Sequence, residues 1–240
     1  MKTLVYSPVF NQANELPRVL KELYQCKNNF DELLLINNGS SDGSEKIVRA
    51  SGAHIIDLPQ NRGVGYSMIK AIEWALENDF EIICGIASNG KMLAREIPRL
   101  TTPIVSDEAD YVKGSRFLRG GNYPNLPIFR RWSIPLVSLL ASLLTAKFTT
   151  DATCGFRAFK VDLFKNTTIA WKQKWLYGYS FEYFIDAKIM CSQKARYKEV
   201  PVTMRYPQFG PFTKIKGVSS WLEMLRPWFY GRLKRGSFYP

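Results

Sequence analysis

The feature that most constrains this chain is a rhythm in its N-terminal third, where short apolar runs alternate with stretches of helical spacing and each apolar run ends in a loop of similar character. Thr3 to Ser7 reads as a strand, followed by Leu16, Val19, Leu20 and Leu23 at helical spacing. Leu33 to Ile36 reads as a second strand with a helix over Ser44 to Ala50. Ala53 to Asp57 and Val64 to Leu76 repeat the pair, and Phe80 to Ile86 makes a fourth strand. Strands that are apolar throughout, rather than alternating, belong to a sheet covered on both faces. The expected fold class is therefore α/β, a mostly parallel sheet flanked by helices.

In such sheets ligands bind beyond the carboxyl ends of the strands. The loops there read SPVFNQAN, NNGSSDGS, PQNRGVG and ASNGKM, in chain order. Each offers backbone N–H groups and short polar side chains to a phosphate or a sugar. One such loop alone is an ordinary turn. Four in phase at one sheet edge mark a binding edge.

At 240 residues the chain can bury one sizeable core, and it shows no linker, internal repeat or low-complexity tract. Its formal charge of +12 is uneven: residues 1–120 carry 14 Lys or Arg against 15 Asp or Glu, whereas residues 121–240 carry 19 against 6. The basic second half is suited to phosphate, nucleic acid or an anionic membrane. Cys26, Cys84, Cys154 and Cys191 lack metal-type spacing and His54 is the only histidine, so a Cys/His metal site is not expected. The N-terminus runs straight into a strand without the apolar stretch of a signal peptide, which places the expected location in the cytoplasm.

Longer motifs carry a resemblance. Pro8, Phe10, Asn11 and Glu15 match a Pro-x-Tyr-Asn-Glu-type loop, and Asn37 to Gly43 occupy an Asp-Asp-Gly-Ser-x-Asp-Gly loop. Asn61-Arg62-Gly63-Val64-Gly65 matches Asn-Arg-Gly-x-Gly, and Gly114 to Phe117 reads Gly-Ser-Arg-Phe. Asp151 to Phe159, Phe181-Glu182 and Glu199 to Val202 complete the ordered set. On these residues the chain resembles the family 2 glycosyltransferases of the GT-A, Rossmann-like fold, and among them polyprenyl-phosphate sugar transferases of the dolichol-phosphate mannose synthase type. The resemblance implies a GT-A domain over residues 1–216 and leaves 217–240 as a basic, aromatic, amphipathic C-terminal extension. It implies an inverting transferase, with a nucleotide-sugar donor surrounded by Pro8, Phe10, Asn11, Glu15, Asn37, Asn38, Asn61, Arg62 and Gly63, and Asn89 and Lys91 of the fourth loop join them as donor-binding candidates.

The fourth loop departs from that family. Where it carries Asp-x-Asp, whose carboxylates hold a divalent metal, this chain has Ala87, Ser88, Asn89, Gly90 and Lys91. Hard cations depend on anionic oxygen ligands, so a weak or absent Mg²⁺ or Mn²⁺ requirement is expected. Lys91 is the candidate to neutralise the leaving diphosphate, assisted by Arg62 or Lys214. The other reading is a nucleotide- or sugar-binding protein that has lost catalysis.

For a lipid-phosphate acceptor the resemblance implies Arg116, Arg131 and Arg205 as ligands, and Arg157 and Lys214 join them as candidates; Arg119 and Arg130 read as exposed salt-bridge partners. For a glycan hydroxyl acceptor, Asp151 or Glu182 is the candidate base, and Asp151 reads equally well as a helix cap or a partner of Arg157. The apolar run from Trp132 to Phe148, broken by Pro135, is short of the ~20 residues a span needs. It reads either as an interfacial helix or as a buried one. In the tail, Trp221, Leu222, Leu225, Trp228, Phe229 and Leu233 interleave with Arg226, Arg232, Lys234 and Arg235, which favours a peripheral contact with the cytosolic face of a membrane. No RNA-binding motif is present, so nucleic acid is not an expected partner.

Overall fold

Among the described residues the alternation resolves into one sheet of seven strands: β1 (Thr3–Val9), β2 (Glu32–Asn38), β3 (His54–Leu58), β4 (Ile82–Gly85), β5 (Tyr111–Ser115), β6 (Arg157–Lys160) and β7 (Tyr197–Pro201). The order across the sheet is β3-β2-β1-β4-β6-β5-β7. All strand pairings are parallel except those of β6, which runs antiparallel to both β4 and β5. The computed structural model describes residues 1–165, 167–192, 194–207 and 224–229.

The strands are flanked by helices α1 (Leu16–Gln25), α2 (Ser44–Arg49), α3 (Val64–Glu77), α4 (Ile97–Val105), α5 (Ile128–Thr145) and α6 (Ser180–Cys191), and residues 224–229 are helical as well. Residue alternation on β1 shows how the layers form. Val5 and Val9 belong to one core with Leu16, Val19, Leu20 and Leu23 of α1 and Ile97, Leu100 and Ile104 of α4. Leu4 and Tyr6 belong to a second with Met68, Ile69 and Ile72 of α3 and Phe181, Phe184 and Ile185 of α6. Each fully buried Leu or Ile is worth about 1.5–3 kcal/mol of transfer free energy, so the stripe on α1 is ample to fix that helix to the sheet. Pro17 at the start of α1 suits a position whose N–H needs no helical partner.

The expected covered strands hold for β1, β2 and β4. At the edge, β3 pairs only with β2, and His54 and Ile55 are exposed. The antiparallel return of β6 puts Arg157 opposite both Gly85 of β4 and Lys113 of β5. There Asp186 of α6 accepts from Arg157 at 3.1 Å, from Lys113 and from the Tyr111 hydroxyl, all of them buried.

Three sequence expectations are corrected in the second half. Pro135 does not break the apolar segment: α5 runs through it for 18 residues, because one proline in a long helix removes a single backbone bond. Nor is α5 a buried helix. Its inner stripe is Ile134, Ser138, Ala141 and Thr145, while Ile128, Phe129, Trp132, Leu136, Leu139 and Leu143 are exposed. Among the described residues it is the one helix long and apolar enough, by length and composition, to cross a membrane. In the tail, Trp228 is not a surface anchor. It packs 6.3 Å from Tyr183 in a cluster with Met224 and Ala141, which leaves Phe229 exposed. Trp221, Leu222, Arg232, Leu233, Lys234, Arg235 and Lys214 lie outside the described residues.

Candidate active site

A cleft of about 880 Å³ opens at the carboxyl ends of β1, β2 and β4. Its volume lies within the range of small-molecule sites. One wall is Pro8, Phe10, Gln12 and Glu15 with Asn38, Asn61 and Gly63; the floor is Gly85 to Met92; the opposite wall is Gly155, Gly178, Tyr179, Glu182 and Arg205 to Pro207. Of the residues singled out in the sequence, Pro8, Phe10, Glu15, Asn38, Asn61, Gly63, Asn89, Lys91, Glu182 and Arg205 line it. Asn11, Asn37, Arg62, Arg116, Arg131, Asp151 and Arg157 are not among the lining residues.

The asparagine-rich loops spend much of their polarity on one another. Asn37 accepts from Ser40 N at 3.1 Å and donates to Asp57 at 3.0 Å. Asn38 accepts from Arg62 N at 2.9 Å and donates to Asn61 and to the Gly63 carbonyl. Asn11, at a left-handed φ of 50°, accepts from Ser41 N at 2.9 Å. Gly63 and Gly65 are dictated by close approach. A Cβ at either would lie 2.2 Å or less from the Tyr177 or Leu176 carbonyl oxygen, respectively. The N–H groups of Gly65 and Tyr66 donate to the carbonyls of Gly178 and Tyr177 at 3.1 and 3.0 Å. This α3 terminus is thus used to seat the second half of the chain, and Asn38, Asn61 and Gly63 face the cleft from a rigid frame.

Three predicted residues are held inside the protein. The Arg116 guanidinium grips Asp151 through Nε and Nη2, both at 2.6 Å, and the Arg116 backbone N–H adds a third bond at 3.1 Å. Asp151 is fully buried; burial alone would raise its pKa, but Arg116 holds the carboxyl below its usual range. It therefore stands as the partner of Arg116, not of Arg157, and its carboxylate does not face the cleft. Arg157 is 1% exposed and donates to Asp186, Tyr111 and the carbonyls of Cys154 and Glu182, which walls it off from an acceptor. Arg131 is exposed and lies 5.9 Å over the Tyr123 ring.

Lys91 is half-buried in the floor, 5.4 Å from the Tyr206 ring centre. Burial, and then repulsion from Arg130 and Arg116, pushes its pKa down to about 8. Arg130 therefore stands close to the cleft, although its sequence reading was an exposed ion pair. The segment ahead of α5 explains this. Met204 N donates to Asn122 O at 3.0 Å and Tyr206 N to Pro124 O at 3.1 Å, so the strip that lines the cleft is sewn to the approach to α5. Arg130 also continues the inner stripe of α5 in helical register with Ile134 and Ser138, a periodicity that the sequence carries. Glu182 faces the cleft with a side chain 20% exposed, 3.7 Å from Arg157; burial raises its pKa against that attraction. Arg18 and Tyr206 also line the cleft, and neither belongs to the motifs that drew attention in the sequence.

A family model for glycosyl transferase family 2 matches residues 5–168. The chain belongs to that family. It is thus a glycosyltransferase that takes its sugar from a nucleotide-sugar donor, and the parallel half with its loop-built cleft is the family's fold. An undecaprenyl-phosphate mannosyltransferase of Micrococcus luteus is 26% identical over 217 residues, covering 88% of this chain and 86% of its own. A UDP-N-acetylglucosamine–dolichyl-phosphate N-acetylglucosaminyltransferase of Methanococcus voltae is 25% identical over 220 residues, covering 85% of each. Among solved structures, glucosyl-3-phosphoglycerate synthase of Mycobacterium tuberculosis superposes with a TM-score of 0.71 at 17% identity, covering 98% of this chain and 81% of that one. At that identity the likeness speaks to the fold. The same synthase has been solved with Mn²⁺, UDP and phosphoglyceric acid.

Proposed function

We propose that this family 2 glycosyltransferase moves a sugar from a nucleotide sugar to the phosphate of a polyprenyl phosphate at a membrane surface, with inversion, and that Lys91 stands in for a divalent metal. The Micrococcus and Methanococcus relatives both carry a lipid-phosphate acceptor in their names. The observation that carries the reading is the position of Lys91 and Arg205 in a cleft whose lining strip is hydrogen-bonded to the approach to α5, a helix whose exposed face is apolar.

A phosphate acceptor is already anionic at neutral pH, so cations that position it do more than a base would. Arg205 lines the cleft, Arg130 approaches from α5, and Arg116 lies behind with its charge balanced by Asp151. As the acceptor oxygen bonds to the anomeric carbon, the bond from that carbon to the diphosphate breaks and negative charge gathers on the leaving oxygen. The Lys91 ammonium is suited to stabilise it. Phe10 and Asn38, on the opposite wall, are suited to the nucleoside.

The fourth loop does not fit a hard cation. Ser88 donates its hydroxyl to Pro8 O at 2.7 Å, Asn89 accepts from Lys91 N at 3.2 Å, and the next side chain is an ammonium. That donor set supplies neutral oxygens and a positive charge where Mg²⁺ or Mn²⁺ needs carboxylates. The apolar face of α5 is suited to lie in the interfacial plane of a bilayer, on the cytosolic side, with the basic start of the helix at headgroup level.

A second reading has its own observation. Glu182 lines the cleft with a raised pKa, as a base for a sugar hydroxyl would. One experiment separates the two: incubation of the full chain with UDP-, GDP-, CDP- and dTDP-sugars, undecaprenyl phosphate in phosphatidylglycerol vesicles, and soluble glycan acceptors. The phosphate reading predicts a lipid-extractable glycosyl phosphate of inverted anomeric configuration, formed equally by Glu182→Gln. Transfer to glycans only, abolished by Glu182→Gln, would replace it with the hydroxyl reading.

A further inference from the structure

The loop that carries Lys91 is gripped from two sides. Arg18, on the first turn of α1, donates through Nη2 to Glu15 at 2.8 Å and to the Gly90 carbonyl at 3.3 Å, and through Nη1 to Glu22 at 3.2 Å. Both Nη2 hydrogens are thereby committed. The next carbonyl, that of Lys91, accepts from the backbone N–H of Arg205 at 2.8 Å, and the Arg205 side chain returns to the same Glu22 oxygen at 3.3 Å. Glu22 is thus shared by two arginines that hold successive carbonyls of one loop. Gly90 is shaped for this contact: its φ is +67°, and a Cβ there would lie 2.0 Å from Arg18 Nη2 and 3.1 Å from Glu15 Oε2.

We propose that Arg18 and Glu22 are positioning residues that tether the Gly90–Lys91 segment between α1 and the strip at Arg205, and so aim Lys91 at the donor diphosphate. A loop with no carboxylate to ligate a metal ion must have its lysine aimed by other means, and a guanidinium fork across two glutamates and a carbonyl supplies geometry that an isolated surface pair does not. The exposure of these side chains, 44% for Arg18 and 28% for Glu22, argues against a role in global stability. The proposal rests on the reading of Lys91 as the diphosphate ligand.

The test is a double-mutant cycle on nucleotide affinity, measured by calorimetry with whichever of UDP, GDP, CDP and dTDP the full chain binds most tightly. Arg18→Ala is expected to weaken binding about tenfold, the effect of removing a charge-assisted hydrogen bond, and to have no further effect in a Lys91→Ala background. Arg18→Gln, which can still donate to the Gly90 carbonyl, is expected to recover most of the loss, and Glu22→Gln to lose less than Arg18→Ala. Equal losses in both backgrounds would make Arg18 a direct phosphate ligand and overturn the tether. So would wild-type affinity in Arg18→Ala. Wild-type affinity in Lys91→Ala, or no binding of any of the four nucleotides by the unaltered chain, would instead overturn the reading of Lys91 on which the tether rests. Unchanged melting temperatures of the Arg18 variants would separate aim from folding.

Discussion

Arg116 and Lys91 are two cations beside one cleft, at the ends of strands two places apart in the sheet, and their surroundings treat them oppositely. Arg116 is 3% exposed, yet its pKa rises, because the two-pronged bond to Asp151 outweighs the burial that would lower it. Lys91 is less buried, yet burial and two neighbouring cations pull its pKa down to about 8. Arg116 is held in its charged form by Asp151. Burial and the charges of Arg130 and Arg116 disfavour the charged form of Lys91, a bias that an incoming phosphate would oppose. The difference separates a cation that organises structure from one prepared for a ligand.

The largest effect that would sharpen this contrast is on stability. Asp151→Asn leaves the Arg116 charge buried without its anion and should cost about 3–5 kcal/mol, read as a fall in the urea midpoint, whereas Lys91→Ala should leave that midpoint close to wild type or above it. A neutral Asp151→Asn would break the comparison, because the pair would then be no strut.

The face of α5 gives the next effect. Trp132 and Leu136 are 78% and 67% exposed, so Trp132→Ser with Leu136→Ser should spare the fold. If both side chains enter the bilayer, the pair of changes should weaken sedimentation with phosphatidylglycerol vesicles by about 3–5 kcal/mol, using the transfer value for buried apolar side chains. Unchanged vesicle binding would remove α5 from the membrane contact.

The smallest effect is a pH limb. Below pH 8 Lys91 carries its proton; above it the ammonium is lost, so kcat/KM for the donor should fall about tenfold per pH unit beyond about pH 8. Bound diphosphate favours the charged form, which should move the same limb in kcat to higher pH. Stability runs the other way. Between about 8 and the ordinary lysine value of 10.5 the unfolded chain holds the proton that the folded chain has released, so this group's contribution to stability rises with pH across that window. A flat kcat/KM profile to pH 10 would show that the Lys91 charge does not serve donor binding.

Much of this was legible in the sequence, and unevenly so. The first four strands and three helices announced themselves because β1 and β2 are apolar throughout and α1 repeats its stripe at Leu16, Val19, Leu20 and Leu23. The antiparallel insertion of β6 did not, since its four residues carry Arg157 at the centre of the sheet, where the charge reads as an acceptor ligand until Asp186 and Tyr111 are seen around it. The loops drew attention for the right edge of the sheet. Yet Asn11 and Asn37 turn their polarity onto neighbouring loops, and no local pattern distinguishes a staple from a ligand. Arg116 and Asp151 each stood in a recognisable motif, but 35 residues separate them, and pairing across that distance is a property of the fold. Arg130 is different, because its register with Ile134 and Ser138 follows from helical spacing alone.

The central claim is that Lys91 replaces a metal, and the most direct measurement is transfer to undecaprenyl phosphate in EDTA and in Mn²⁺, by the unaltered chain and by Lys91→Ala. The account predicts equal rates in both solutions for the unaltered chain, and a loss of about 100- to 1,000-fold in Lys91→Ala, comparable to removing one preorganised donor from a transition-state site. Activity that needs Mn²⁺ and survives in Lys91→Ala would contradict it.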